Sequence, residues 1–113
     1  MSSNFEKALS YFRQSDFSRC LKACKKIMGS DPTFIAPYVL GAQAALAMGQ
    51  KKQTERLLVR ALEVRPESVI VHRNLGIFFS QMAREREAER AFTKALEIDP
   101  KDSETLYCKA CLL

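Results

Sequence analysis

Glycine and proline are scarce in this chain, four of each in 113 residues, which is the balance of one helix-rich domain and leaves little for a loop-rich scaffold. Long apolar runs are missing as well: none approaches the roughly 18 consecutive apolar residues that a membrane span needs. The opening Met1, Ser2, Ser3 and Asn4 lack the charged-then-apolar pattern of a secretory signal. A cytoplasmic location is expected, with the nucleus as its alternative, and no membrane partner. Histidine is nearly absent, His72 being the only one. No phosphate loop, HExxH or nucleophile elbow accompanies it. The sequence therefore supplies no catalytic set, and a non-enzyme without cofactor or metal is expected.

Four cysteines are present, yet they lie in helical patterns with no loops to staple, so reduced thiols fit better than disulfides. Cys20 and Cys24 are an i, i+4 pair and Cys108 and Cys111 a CxxC, which raises a four-thiolate zinc site as an alternative to packing. The net charge of +5 and pI near 9.2 suit an acidic partner or plain solubility. Basic clusters such as Lys22, Lys25, Lys26 and Arg84, Arg86, Arg90 alternate along the chain with Glu55, Glu63, Glu85, Glu87 and Glu89. That mixture reads as a solvated face and makes nucleic-acid binding the weaker partner reading.

What the sequence does have is a period. Pro32, Pro66 and Pro100 stand 34 residues apart, two of them closing the near-identical phrases ALEVRP and ALEIDP. Spacing of this kind marks stacked supersecondary units. With each proline numbered 32 in its unit, position 8 is always small: Ala8, Ala42, Gly76 and Ala110. Two helices of a hairpin approach closely only where a side chain is small, so bulk at Gly76 should overpack the crossing. Ser15-Asp16, Gly49-Gln50 and Ala83-Arg84 mark the turns. Helices are expected over 4–14, 17–30, 35–48, 51–64, 69–82, 85–98 and from 103 onward. Pro37 falls in a first helical turn, where its missing N–H costs nothing.

His72, Leu75, Gly76, Phe79, Ala88, Phe92, Ala95 and Pro100 occupy positions 4, 7, 8, 11, 20, 24, 27 and 32 of the third unit. This series resembles the tetratricopeptide repeat, with His72 for tryptophan and Phe79 for tyrosine. The other units are more degenerate, carrying Lys7 in place of leucine, and Cys20 and Thr54 in place of alanine. The resemblance implies an all-α fold: a right-handed superhelical stack of three helix-turn-helix hairpins plus a seventh terminal helix. It also implies one array over 1–113, with repeats 1–34, 35–68 and 69–102 and a partial fourth unit or capping helix at 103–113.

In that family the first helix of each hairpin lines a concave wall, and positions 2, 5, 6, 9, 12 and 13 face a bound peptide. Carried over, the wall comprises Phe5, Leu9, Phe12 and Arg13; Val39, Leu40, Gln43 and Leu46; and Ile70, Arg73, Asn74, Ile77, Ser80 and Gln81. Such a wall suits a protein or peptide partner with apolar anchors; local packing of those side chains is the alternative. The carboxylate clamp by which family members hold chaperone tails is missing, because its places hold Phe5, Leu9, Leu40, Ile70 and Asn74. The resemblance thus implies a protein-interaction scaffold, with self-association as its rival. Leu106, Cys108, Cys111, Leu112 and Leu113 give the last helix an apolar face, so either the array continues beyond it or a second copy covers it.

Overall fold

The computed structural model describes residues 2–111, and those residues form helices and no strand. The helices are α1 (Ser2–Arg13), α2 (Phe17–Ser30), α3 (Ala36–Ala47), α4 (Lys51–Val64), α5 (Val69–Gln81), α6 (Glu85–Ile98) and α7 (Ser103–Cys111). The expected spans 17–30, 51–64 and 85–98 coincide with α2, α4 and α6. Other ends move by no more than two residues, as fraying termini do. The helices divide between two compact units, Met1–Arg65 with α1 to α4 and Pro66–Leu113 with α5 to α7.

In the first unit α1 packs on α2, α2 on α3 and α3 on α4. Helix α2 buries Cys20, Leu21, Cys24, Ile27 and Met28, a stripe of 3.6-residue period. Burying its Leu, Ile and Met side chains contributes about 1.5–3 kcal/mol each. Helix α3 differs, because apart from Gln43 it is almost wholly apolar, and it buries Pro37 to Ala42, Ala44 and Ala45. Helix α4 buries Thr54, Leu57, Leu58 and Ala61. Thr54 stands where the family has alanine, and its hydroxyl is satisfied by carbonyls, 2.9 Å from Gln50 O and 3.3 Å from Ala42 O on α3. A buried hydroxyl with such partners costs little.

In the second unit α5 packs on α6 and α6 on α7. Helix α5 buries Val71, Leu75, Gly76 and Phe78, and α6 buries Ala88, Ala91, Phe92 and Ala95. Gly76 is the close approach that the sequence predicts. A Cβ there would lie 2.6 Å from Phe92 Cδ1 and 2.7 Å from its Cζ, too near for the ring to stay where it is.

The punctuation is structural in both units. Ser15, Gly49 and Ala83 have φ of 60°, 76° and 60°, the left-handed conformation that ends a first helix and turns the chain. In each turn the next N–H donates to a carbonyl five residues back, Asp16 to Tyr11, Gln50 to Ala45 and Arg84 to Phe79, all at 2.8 Å. Asp31, Arg65 and Asp99, each before a repeat proline, leave the helix with φ of −143°, −143° and −135°, since proline disfavours helical backbone in its predecessor. Tyr38 Oη then donates to Pro32 O at 2.9 Å, and His72 Nε2 lies 2.9 Å from Pro66 O. Both occupy position 4, so in the second and third units that slot sets the polar edge of an aromatic ring against the preceding proline carbonyl.

Candidate interaction surface on the first helices

On α1 the expected wall residues Phe5, Leu9 and Phe12 recur at i, i+4 and i+7 and are half-buried. Phe5 meets Phe34 edge-on with ring centroids 5.3 Å apart, and Phe12 meets Phe17 in the same way at 5.3 Å. Both rings are therefore partly used in local packing, while Arg13 is exposed. On α3 the same register gives Val39, Gln43 and Leu46. Val39 and its neighbour Leu40 are buried, Gln43 is exposed and Leu46 half-buried. Val39 lies inside because α3 is packed over most of its circumference and turns only Gln43 and Ala47 fully outward, so counting positions overstates how much of it a ligand meets.

On α5 the residues Ile70, Asn74, Ile77 and Gln81 follow i, i+4, i+7 and i+11 along one face. Ile70 is 50% exposed, Asn74 and Ile77 are half-buried, and Ser80 and Gln81 are exposed. The Asn74 amide donates to Ile70 O at 2.8 Å. Arg73 has a different engagement: its guanidinium reaches Asp102 Oδ2 at 2.7 Å and Glu104 Oε2 at 3.3 Å, tying α5 to the start of α7. Asp102 also accepts from Thr105 Oγ1. The Thr105 hydroxyl first, and the guanidinium with it, hold the Asp102 carboxyl below the usual aspartate range. Sequence reasoning missed this latch, whose partners are 29 residues apart; the signal available was the Asp-x-x-Thr helix start.

On α7, Leu106 is 48% and Tyr107 73% exposed. Cys108 is half-buried and Cys111 exposed, whereas Leu112 and Leu113 lie outside the described residues. Tyr107 was not among the residues the sequence pointed to, although among the described residues it is the most exposed of the large apolar side chains. Ala110, at the small position that is buried as Ala8, Ala42 and Gly76 in the three hairpins, is exposed here.

Cys20 and Cys24 are wholly buried in the first unit. Burial pushes the Cys24 thiol up to about 12 and raises Cys20 as well. These are packing thiols, protonated at neutral pH and poor metal ligands. Among the described residues no group of three or more His, Cys, Asp or Glu could hold a metal ion, and no helix is long and apolar enough to cross a membrane.

The geometry defines a helical-hairpin repeat protein, in which left-handed turns join α1 to α2, α3 to α4 and α5 to α6, and each of Pro32, Pro66 and Pro100 follows a second helix. The sequence model of the tetratricopeptide repeat matches residues 74–102, from the middle of α5 to the turn before α7. It is 27% identical over 101 residues to the Arabidopsis thaliana protein CTR9 homolog, covering 86% of this chain and 9% of that protein. It is 25% identical over 93 residues to the Homo sapiens protein O-mannosyl-transferase TMTC2, covering 80% of this chain and 11% of that protein. The chain thus spans about a tenth of the length of these curated relatives. Among solved structures, the first repeat domain of Spaghetti (RPAP3), bound to an HSP90 peptide, superposes with a TM-score of 0.87 at 18% identity. That match covers 97% of this chain and 87% of the other.

Proposed function

We propose that the chain is a protein-interaction scaffold that holds a peptide or helical segment of a partner against its first helices, as part of a larger assembly in the cytoplasm. The observation that carries this reading is the α5 stripe, where half-exposed apolar side chains, Ile70 and Ile77, alternate with the amides of Asn74 and Gln81. Apolar anchors with interleaved hydrogen-bonding groups are what helix and extended-peptide recognition use. Leu9, Phe12, Gln43 and Leu46 repeat the theme in the first unit. That a structural neighbour binds an HSP90 peptide supports the mode of binding. Its particular ligand is disfavoured, because Phe5, Leu9, Leu40 and Ile70 put apolar groups where a charged tail needs cations and amides. The scaffold reading carries no catalytic role, and the transferase named among the relatives matches over too small a part of its length to lend one.

A photo-crosslinking residue at Ile77, compared with one at Lys94 on α6, tests the reading in cell extract. The expected result is a discrete crosslinked partner from Ile77 that Asn74→Ala weakens. Partners captured only from Lys94 would move the site to the second helices.

A second reading, self-association through α7, is favoured by the exposure of Leu106, Tyr107 and Ala110. Light scattering over a wide concentration range decides it, since a strict monomer removes it.

A further inference from the structure

The first hairpin has a recess on another face of α1 from Phe5, Leu9 and Phe12. Asn4, Lys7 and Tyr11 lie one and two turns apart on α1, and with Ala23, Lys26 and Ile27 of α2 they enclose about 380 Å³. Ile27 and Ala23 supply an apolar floor, while Lys7 and Lys26 bring a cation from each helix. No ion pair among the described residues engages either lysine. Helix α2 is also unlike the other second helices in charge. It carries Arg19, Lys22, Lys25 and Lys26 and no acid, whereas α4 includes Glu55 and Glu63, and α6 includes Glu85, Glu87, Glu89 and Glu97. Arg19 is paired with Asp16 at 3.5 Å, which leaves Lys22, Lys25 and Lys26 as the other cations of α2, with Glu6 the acid beside Lys7 on α1.

Position 7 sharpens the point. In α3 that position is Gly41, so close to α2 that an added Cβ would be 3.3 Å from Cys24 Cβ and 3.4 Å from Leu21 Cδ1. Its counterpart in α1 is Lys7, an exposed cation, so this face of α1 is no longer suited to an apolar helix.

We propose that this recess binds an acidic peptide, seating one apolar side chain on Ala23 and Ile27 between carboxylates that pair with Lys7 and Lys26. Opposite charge speeds and orients such an encounter, and the recess is large enough for a leucine or phenylalanine side chain. A phosphate backbone or a flat anionic membrane would use the lysines and leave the apolar floor empty. The site goes beyond the first-helix surface proposed above and stands or falls separately.

The test measures fluorescence anisotropy of a labelled peptide of about 12 residues, one central leucine flanked by glutamates. A lysine-for-glutamate counterpart, a short DNA duplex and phosphatidylserine vesicles are run beside it. The glutamate peptide should bind, more weakly as salt rises from about 50 to about 200 mM. Lys7→Glu with Lys26→Glu should lower affinity at least about tenfold. Ala23→Trp should cause a similar loss by filling the floor with charge unaltered, while Lys94→Glu on α6 leaves affinity unchanged. Circular dichroism confirms that each variant stays helical. Absent binding, equal or tighter binding of DNA or vesicles, or full binding by Ala23→Trp would each overturn the proposal. Ile77→Asp, which should not affect this peptide, separates the result from the first-helix reading.

Discussion

At Gly76 a single missing side chain holds a hairpin together. With no Cβ, the Phe92 ring can lie against the α5 backbone. Gly76→Ala should destabilise by about 1–3 kcal/mol even though alanine is the better helix former, because overpacking outweighs propensity. Thermal denaturation reads this as a fall of several degrees in Tm. Thiol chemistry is equally local. Cys111 is exposed, Cys108 half-buried and raised by desolvation, and Cys20 and Cys24 are sealed in the core. Native protein treated with iodoacetamide should be modified at Cys111 first and Cys108 more slowly, with Cys20 and Cys24 reacting only after unfolding. Peptide mass mapping over time checks that order. The small residue at position 8 was readable from its recurrence. The polar contact at position 4 was not, because tyrosine and histidine look like unrelated replacements until both are seen beside a proline carbonyl.

Turns and helix starts decide how each element is placed. Gly49 tolerates its positive φ freely, whereas Ser15 and Ala83 hold the same conformation with a Cβ. Gly49→Ala should therefore cost roughly 1 kcal/mol, and Ala83→Gly should gain roughly 0.5–1 kcal/mol after glycine's extra unfolded-state entropy is subtracted. Paired urea melts of the two variants give the signs directly. The start of α7 depends on Asp102, whose folded pKa is depressed. Its contribution is complete above the ordinary aspartate value and is lost as pH falls through the lowered one. The 13C shifts of Thr105 to Ala110 should drift from helical values in that acid range, and Asp102→Asn should show the drift already at neutral pH. Helix boundaries were legible because proline, glycine and turn residues recur at one interval. The engagement of Arg73 was not, since it depends on the angle at which α7 leaves the turn after Pro100.

Across the whole molecule, burial is uneven between elements. Helix α3 is covered on nearly every side in the first unit, while α7 in the second unit buries only Thr105 among its described residues. Hydrogen exchange should therefore be slowest for the amides of Tyr38 to Ala45 and fastest, among the helices, in α7. Comparable rates in the two would contradict this ordering. The all-α class was legible through the residue pattern that carries the family resemblance, and the helices through their recurring turn residues and prolines. The surface on the first helices was legible only as a set of positions: Val39 and Leu40 drop inside because α3 is buried over most of its circumference, and Phe5 and Phe12 find aromatic neighbours in Phe34 ahead of α3 and Phe17 at the start of α2.

A helix with so little wet surface also constrains how the polypeptide can be made. As the ribosome extrudes the chain, α3 emerges next to α2 but before α4, and the flank that Leu57, Leu58 and Ala61 will later shield stays bare. The first unit can complete its core only after roughly the sixty-fourth residue clears the exit tunnel. Until then its greasiest segment is open to chaperones.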